Sequence, residues 1–235
     1  LPPPIIVPYL HKFLMIPAKM AIENDTLSYV AELREVVTIF IEILGLEDDF
    51  NMGFVRRPQK VISVVLECLD RYSGSLRQYV VDDKGCVIIA AFGLPGSSHE
   101  DNCVRAIEAA TAIRDCFSEV KIDCRIGIAK GMVYCGLVGS DDRCEYAMMG
   151  SSVNLAARLM GKGESSQILV NQDVQAATEK LFKFHALQKI KAKGYARPVA
   201  VFIPYERIHT HELAVHKNRI DSIETNNVTS FHSDS

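Results

Sequence analysis

The amino-acid sequence predicts an α/β fold of the α+β sandwich type, a ferredoxin-like βαββαβ domain with extra C-terminal strands. Residues 34–44, "REVVTIFIEIL", are β-branched and apolar on both faces, which is typical of a central strand. The stretches "SLRQYVV" and "CVIIAAFG" flank the polar "DDKG", which predicts a β-hairpin. One helical pattern follows the first strand and another follows the hairpin, as the order of elements in this fold requires.

The two helices of the sandwich are predicted from apolar spacing and from residues at their ends. In "PQKVISVVLECLDRYSG" apolar residues recur at helical spacing, Pro58 suits the first turn and Gly74 can end the helix. A longer helix begins at about Glu100. Next, "KIDCRIGIAK" and "GMVYCGLVG" predict a second hairpin that turns around Lys130 and Gly131.

The stretch "EYAMMGSSVNLAARLM", residues 145–160, predicts a strand end, a turn at Gly150 and a helix. Asn154 and Arg158 are one turn apart, so both side chains project from the same helix face. The intervening Ala156 and Ala157 are small enough to let another group approach the helix closely. A short strand "QILV", a short helix "NQDVQAATEKL" and closing strands in "FKFHALQKI" and "PVAVFIPYE" follow.

The 235 residues divide into one domain and two ends. Residues 33–205 form the predicted domain, which is long enough to bury a sizeable core. Residues 1–32 predict a linker with one short helix, because prolines break their apolar run before it reaches a membrane-spanning length. Residues 206–235 are polar and predict a disordered tail. Because the chain starts with Leu, we expect a fragment or a processed chain.

Composition argues against several classes of protein. The formal net charge is -3 and there is no basic run, so a nucleic-acid partner is not expected. The seven cysteines include no C-x-x-C pair and lie mostly in apolar runs, which predicts reduced thiols rather than a zinc site or a disulfide framework. Neither a signal peptide nor a membrane span is evident, so we expect a cytoplasmic protein.

One long stretch resembles a known family. The run "CRIGIAKGMVYCGLVGSDDRCEYAMMGSSVNLAARLM" is similar to the core signature of class III nucleotidyl cyclases. The shared pattern includes Gly-Ile-Ala-x-Gly, Gly-x-Val-Gly, Arg-x-Glu-Tyr and Gly-x-x-Val-Asn-x-Ala-Ala-Arg-Leu. The wider resemblance covers roughly residues 33–205. "AELREVVTIF" and "DDKGCVIIAAFGLPG" look most like the second catalytic domain of the soluble, bicarbonate-responsive adenylyl cyclases of animals.

The resemblance implies an active site divided between two domains that pair head to tail. In two-domain members, one half binds two Mg²⁺ ions through two Asp residues, and the other supplies the base pocket, an Asn and an Arg. The ribose 3′-hydroxyl of ATP attacks the α-phosphate and pyrophosphate leaves. Asn154 matches the Asn that orients the ribose. Arg158 matches the Arg that stabilises the charge developing on the α-phosphoryl oxygens.

The base pocket implied by the resemblance departs from the family pattern. Gln78 stands where adenylyl cyclases usually carry Lys, and Ala147 stands where they carry Asp or Thr. Gln78 can still donate to and accept from adenine, whereas Ala147 can only pack. Met148, through its backbone, and Val153 are the other predicted nucleotide-binding residues. These departures leave ATP and GTP open as substrates.

The metal positions also depart from the family pattern. Glu42 falls where metal-bearing halves carry their first Asp, and a Glu can bind Mg²⁺. The second Asp should directly follow a Gly, but here Asp82 and Asp83 precede Lys84 and Gly85. We therefore expect no complete metal site in this chain, with Mg²⁺ held mainly by the partner domain. Glu42 is expected to pair with another side chain or to face the groove between the domains.

Two functions are consistent with these residues. In the first, the chain is the Asn/Arg-bearing half of an adenylyl cyclase that makes cyclic AMP when paired in cis with a metal-bearing domain, and is inactive alone. In the second, it is a degenerate regulatory domain that binds the partner without turnover. A structural alternative for Arg158 is an ion pair with Glu145. An RNA-binding module is not expected, because aromatic strand motifs and a basic surface are missing.

Overall fold

The computed structural model of the chain describes residues 14–24, 31–45, 56–82, 85–140 and 144–208. Three predictions fall outside these residues: the proline-rich start, the tip of the first hairpin at Asp83 and Lys84, and the polar tail from residue 209. The division into a domain and two ends stays a prediction.

The described residues contain five helices and eight strands. The helices are α1 (Ile16–Glu23), α2 (Arg56–Arg71), α3 (Asn102–Glu119), α4 (Ser151–Met160) and α5 (Gln172–Thr178). The strands are β1 (Ala31–Ile43), β2 (Ser75–Asp82), β3 (Gly85–Phe92), β4 (Cys124–Gly139), β5 (Cys144–Met149), β6 (Ile168–Asn171), β7 (Phe182–Ile190) and β8 (Val199–Arg207). None of the described helices combines the length and the apolar character that crossing a bilayer requires.

The eight strands form one sheet in the order β2-β3-β1-β4-β6-β8-β7, and β5 pairs with the second half of β4. The paired strands are antiparallel except β4 and β6, which are parallel. β1 to β4, with α2 and α3, have the predicted βαββαβ order, and β1 is central. The ferredoxin-like fold with additional C-terminal strands is therefore confirmed.

The predicted hairpin around Lys130 and Gly131 is wrong, because β4 runs as one strand from Cys124 to Gly139. It pairs with β1 along most of that length. A Cβ atom at Gly131 would lie 2.7 Å from the Cβ atom of Ser152 in α4, closer than real Cβ contacts. The glycine that suggested a turn therefore allows a helix to approach the strand closely.

The two faces of β1 pack against different helices. Ile39, Ile41 and Ile43 are fully buried in the main hydrophobic core, which includes residues of α2 and α3. Phe40 points to the opposite face and packs against the buried side of α4. Because side chains alternate along a strand, Glu42 lies on the α4 face as well. The sheet thus separates the α2 and α3 layer from α4.

Candidate functional site

Helix α4 lies against a strip of small residues on β4. Alternate residues of the strand on this face are Gly127, Ala129 and Gly131. A Cβ atom at Gly127 would overlap the backbone of Ala156, and one at Gly131 would crowd Ser152. Glycine therefore lets the helix backbone approach the strand closely, which fixes the position of α4 and of the side chains that it carries.

Helix α4 buries one face and exposes the other. Leu155, Ala156 and Leu159 are buried in a small apolar cluster. Asn154 and Arg158 are exposed on the opposite face, as their spacing predicts. Within the described part of the chain, no hydrogen bond or ion pair engages either side chain. Both polar groups are therefore available to a ligand.

A cleft of about 730 Å³ opens in front of the exposed face of α4. Its lining comes from α4 and from the loop between β7 and β8: Ser151, Asn154, Ala157, Arg158, Lys193 and Gly194. Gly194 has a φ of +93°, a left-handed conformation that favours glycine, and this loop position packs against Ser151. The cleft thus gathers two cationic side chains, Arg158 and Lys193, beside the amide of Asn154.

Glu145, the alternative partner considered for Arg158, pairs with a different arginine. Its carboxylate lies 3.5 Å from the guanidinium of Arg77 in β2. The structure therefore does not support an ion pair between Glu145 and Arg158. The Arg77 bridge also brings β2 close to β5, although these strands are not hydrogen-bonded neighbours. It places the strand that carries Gln78 near the strand that carries Ala147.

The four residues predicted to bind the base do not line the α4 cleft. Gln78 is exposed on the edge strand β2, directly after a β-bulge. Ala147 is buried in β5. Met148 and Val153 are half-buried and pack against a second apolar cluster that includes Tyr146. Their contribution to base recognition stays a prediction.

Glu42, at the first metal position of the family pattern, is already paired. Its carboxylate lies 2.8 Å from the guanidinium of Arg125, and its side chain is only 13% exposed. The two residues are directly opposite each other on β1 and β4. Among the described residues, no group of three or more His, Cys, Asp or Glu side chains could hold a metal. The expected pairing of Glu42 with another side chain is confirmed.

Sequence reasoning missed Lys193 and Gly194 as cleft residues. They lie in a loop between the two closing strands, where apolar periodicity gives no signal. The sequence feature that could have indicated this loop is the lysine-glycine pair in "KAKGYARP". A glycine in a left-handed conformation can turn a loop so that the loop presents an adjacent cation.

Comparison with known proteins identifies relatives of this chain. Residues 29–211 match the family model of the adenylate and guanylate cyclase catalytic domain. Human adenylate cyclase type 10 is 35% identical over 162 residues, which are 68% of this chain and 10% of that protein. The rat adenylate cyclase type 10 is 31% identical over 196 residues, 82% of this chain and 12% of that protein. The chain spans about a tenth of the length of these curated relatives.

Solved structures share the fold of this chain. The adenylyl cyclase CyaB from P. aeruginosa has a TM-score of 0.69 at 21% identity, and the match covers 75% of this chain and 96% of that chain. The guanylyl cyclase Cya2 has a TM-score of 0.63 at 20% identity, with coverage of 77% and 96%. Because adenylyl and guanylyl cyclases both match, the fold alone does not distinguish their two substrates.

Proposed function

This chain belongs to the adenylate and guanylate cyclase catalytic domain family, and from that premise we propose that it is the Asn/Arg-bearing half of an adenylyl cyclase active site. Paired head to tail with a metal-bearing domain of the same protein, it converts ATP to 3′,5′-cyclic AMP and pyrophosphate in cytoplasmic cyclic AMP signalling. The observation that carries the proposal is the exposed pair Asn154 and Arg158, which shares a cleft with Lys193.

The charges in the cleft suit a nucleoside triphosphate. Negative charge grows on the α-phosphoryl oxygens in the transition state, so Arg158 stabilises that state more than it stabilises bound ATP. Asn154, one turn earlier, hydrogen-bonds the ribose and orients the 3′-hydroxyl. Lys193 supplies a compact positive charge to the phosphates that leave as pyrophosphate. Together these residues bind, orient and neutralise the substrate.

The two Mg²⁺ ions that family members use are expected mainly in the partner domain. Such ions activate the attacking oxygen and hold the phosphates. In this chain the Glu42 carboxylate is held by Arg125 at 2.8 Å, so it offers no free ligand. The contribution of this half therefore comes from its amide and cationic side chains.

An exposed apolar surface supports pairing with a second domain. Leu33, Met132 and Met149 are 73%, 57% and 51% exposed. They lie near one another, because Tyr134 is paired with Leu33 on one side and with Met149 on the other. Exposed apolar patches of this kind mark interaction sites. A metal-bearing cyclase domain of the same protein is the partner proposed to bury this surface.

ATP is favoured as the substrate by the relatives, and one side chain is compatible with it. The human and rat relatives at 35% and 31% identity are adenylate cyclases. The exposed amide of Gln78 can donate to and accept from the edge of adenine, whereas Ala147 adds only packing. Met148 and Val153 complete the proposed base contacts.

Reconstitution tests the proposed catalytic role. The chain is mixed with the metal-bearing first catalytic domain of a soluble adenylyl cyclase, and cyclic nucleotide production is measured from ATP and from GTP with Mg²⁺. We expect turnover of ATP that falls about 10²- to 10³-fold in Arg158→Ala, with partner binding unchanged. The control Arg114→Ala removes an arginine of α3 that bonds to Asp115, and it should retain activity. An equal loss in both variants would contradict the role of Arg158, and a preference for GTP would contradict the substrate.

A degenerate regulatory domain is the second candidate function. The paired Glu42, together with Gln78 and Ala147 in the base pocket, favours it. Such a domain binds the partner and modulates its activity, but contributes no group to the reaction. In the reconstitution, binding without any product, or turnover that Arg158→Ala leaves unchanged, would select this function.

The chain by itself is predicted to be inactive. Two copies paired head to tail would combine two Asn/Arg halves without a complete set of metal ligands, because Glu42 is held by Arg125. Purified chain with ATP and Mg²⁺ should form no cyclic AMP above the level of a protein-free control. Robust Mg²⁺-dependent production would contradict this prediction and would return Glu42 to a metal-binding role.

A further inference from the structure

A second cleft lies on the same face of the sheet as α4, beside the C-terminal end of that helix. It has a volume of about 590 Å³, and the described residues that line it differ from those of the α4 cleft. Three lysines line it: Lys162, which follows α4, Lys189 in β7 and Lys191, which follows β7. The fold, rather than a basic run in the sequence, therefore gathers these charges in what we call the lysine cleft.

The positive charge of the lysine cleft is not neutralised within the described part of the domain. All three lysines are exposed, and none of their side chains forms an ion pair or a hydrogen bond with another described residue. No Asp or Glu belongs to the described lining of the cleft. Lys183, at the other end of β7, differs because it lies 3.0 Å from the carboxylate of Glu206. Unpaired cations gathered in a concave surface attract an anionic partner.

The lysine cleft also has an apolar floor. Leu169 in β6 and Val201 in β8 line the cleft and belong to the buried apolar cluster on the α4 face of the sheet. Leu187 in β7 lines it as well, but its side chain is 41% exposed. Covering this side chain would be favourable, because apolar surface would leave water. The cleft therefore suits a partner that combines negative charge with an apolar side chain.

An irregularity in β7 shapes one wall of the lysine cleft. The pairing of β7 with β8 is interrupted between Leu187 and Ile190, so Gln188 and Lys189 have no partner residue in β8. Such a bulge turns consecutive residues of a strand toward the same side. β7 is also the last strand of the sheet, with β8 as its only neighbour among the described strands. The main chain of an edge strand can bind an extended peptide.

We propose that the lysine cleft is a docking site for an extended acidic peptide segment of a partner protein, in which acidic and apolar side chains alternate. Acidic side chains pair with Lys162 on the α4 side and with Lys189 and Lys191 on the β7 side, and an apolar side chain covers Leu187. A peptide fits this shape better than an anionic membrane does, because a flat bilayer touches the lysines without reaching the recessed floor. The site contains none of the groups proposed for catalysis.

Fluorescence anisotropy of a labelled peptide tests the charged part of the site. The probe is a short peptide of alternating glutamate and leucine, titrated with the whole chain. We expect saturable binding that the combined substitutions Lys162→Gln and Lys189→Gln weaken about 3- to 10-fold, since an exposed ion pair contributes modestly. The matched control combines Lys60→Gln and Lys180→Gln, at two exposed lysines outside the cleft. It should leave the Kd within about twofold of the original value.

Leu187→Ser tests the apolar part of the site. It should weaken binding of the same peptide about 3- to 10-fold, because less apolar surface is covered. Leu66→Ser in α2 is the matched control, since Leu66 is 42% exposed and lies outside the cleft. A second peptide, with serine in place of leucine, should bind the original chain more weakly, and Leu187→Ser should not weaken it further. Both leucines are exposed, so these variants are expected to fold, which urea denaturation verifies.

Three results would overturn the proposal. The first is an absence of saturable peptide binding, whether or not vesicles that contain phosphatidylserine bind the chain. The second is equal weakening by the two pairs of lysine substitutions, which would mean a general attraction to the surface. The third is equal affinity for the leucine and serine peptides, which would mean that the apolar floor takes no part. These measurements use neither ATP nor a partner domain, so their outcome is independent of the proposed cyclase function.

Discussion

Helix α4 and the side chain of Glu42 lie on the same face of the sheet. The charged groups in these two regions differ in whether they are exposed and whether they are paired within the domain. Arg158 is exposed in a cleft, and no described residue pairs with it. Glu42 is 13% exposed and lies 2.8 Å from Arg125. A carboxylate at a metal position is thus neutralised within the domain, whereas a guanidinium suited to a phosphate is left open. This contrast supports a domain that contributes cations rather than metal ligands to a shared site.

The two regions also depend on different features of the sequence. The position of α4 depends on backbone contact at Gly127 and Gly131, where a side chain would displace the helix. The state of Glu42 depends on the register of β1 and β4, which places Arg125 directly opposite. Substitutions can therefore perturb one region without the other, and they give a direct test of the comparison.

The largest expected effect is that of Gly127→Ala, which displaces helix α4 from the strand β4. The added methyl group meets the backbone of Ala156 and Met160, so the helix must shift. We expect a loss of about 1–3 kcal/mol in the free energy of unfolding, measured by urea denaturation. Because a displacement of about 1 Å can cost about 10²-fold in rate, reconstituted cyclase activity should fall as well.

Gly161→Ala is the matched control for this substitution. Gly161 ends α4 with a φ of -68°, and a Cβ atom there would have its nearest neighbour at 3.6 Å, an ordinary contact. Alanine should be neutral or slightly stabilising at this position. If both alanine variants unfold at the same urea concentration as the unsubstituted chain, close approach of the helix to the strand does not position α4.

A smaller effect is expected for Glu42→Gln, which removes the negative charge that pairs with Arg125. The substitution leaves the Arg125 guanidinium without its charged partner in a partly buried position. We expect a loss of about 1–2 kcal/mol in unfolding free energy, and no change in reconstituted activity beyond a few-fold. Added Mg²⁺ should leave the unfolding midpoint of the original chain unchanged, because its carboxylate is already paired.

Glu100→Gln, at an exposed glutamate before α3, is the control for charge removal and should be neutral within about 0.5 kcal/mol. A large loss of activity in Glu42→Gln without loss of stability would show that the carboxylate takes part in metal binding after all.

Local sequence patterns predicted most of the fold, because the buried faces of helices and strands place apolar residues at recognisable spacings. The β-branched run of β1, apolar on both faces, and the helical spacing of α2 identify those elements without any knowledge of their neighbours. Gly131 was misinterpreted because a glycine in a strand pattern indicates either a turn or close contact with another backbone. Only the position of Ser152, in a later element, distinguishes the two.

The candidate site was predictable to the extent that its residues share one element. Asn154 and Arg158 lie on one helix, so their spacing alone places them on one face. Lys193 lines the same cleft from the loop between β7 and β8, which is distant from α4 in sequence. Its position near Asn154 and Arg158 depends on how these two strands pack beside α4. The pairing of Glu42 with Arg125 likewise depends on strand register, which composition does not reveal.

The smallest predicted effect concerns Lys193, whose removal tests whether the cationic character of the cleft extends beyond α4. Lys193 is exposed, so its charge is screened by solvent and one phosphate contact is worth about 0.5–1.4 kcal/mol. Lys193→Ala should therefore raise the KM for ATP in the reconstituted enzyme about 3- to 10-fold with little change in kcat, since a contact made equally in ground and transition states alters binding alone. Lys189→Ala is the matched control, because this exposed lysine of β7 does not line the α4 cleft. Equal increases in KM for both variants, lost at high salt, would mean that the overall electrostatic potential of the surface attracts ATP. The β7–β8 loop would then make no specific contact with ATP in the cleft.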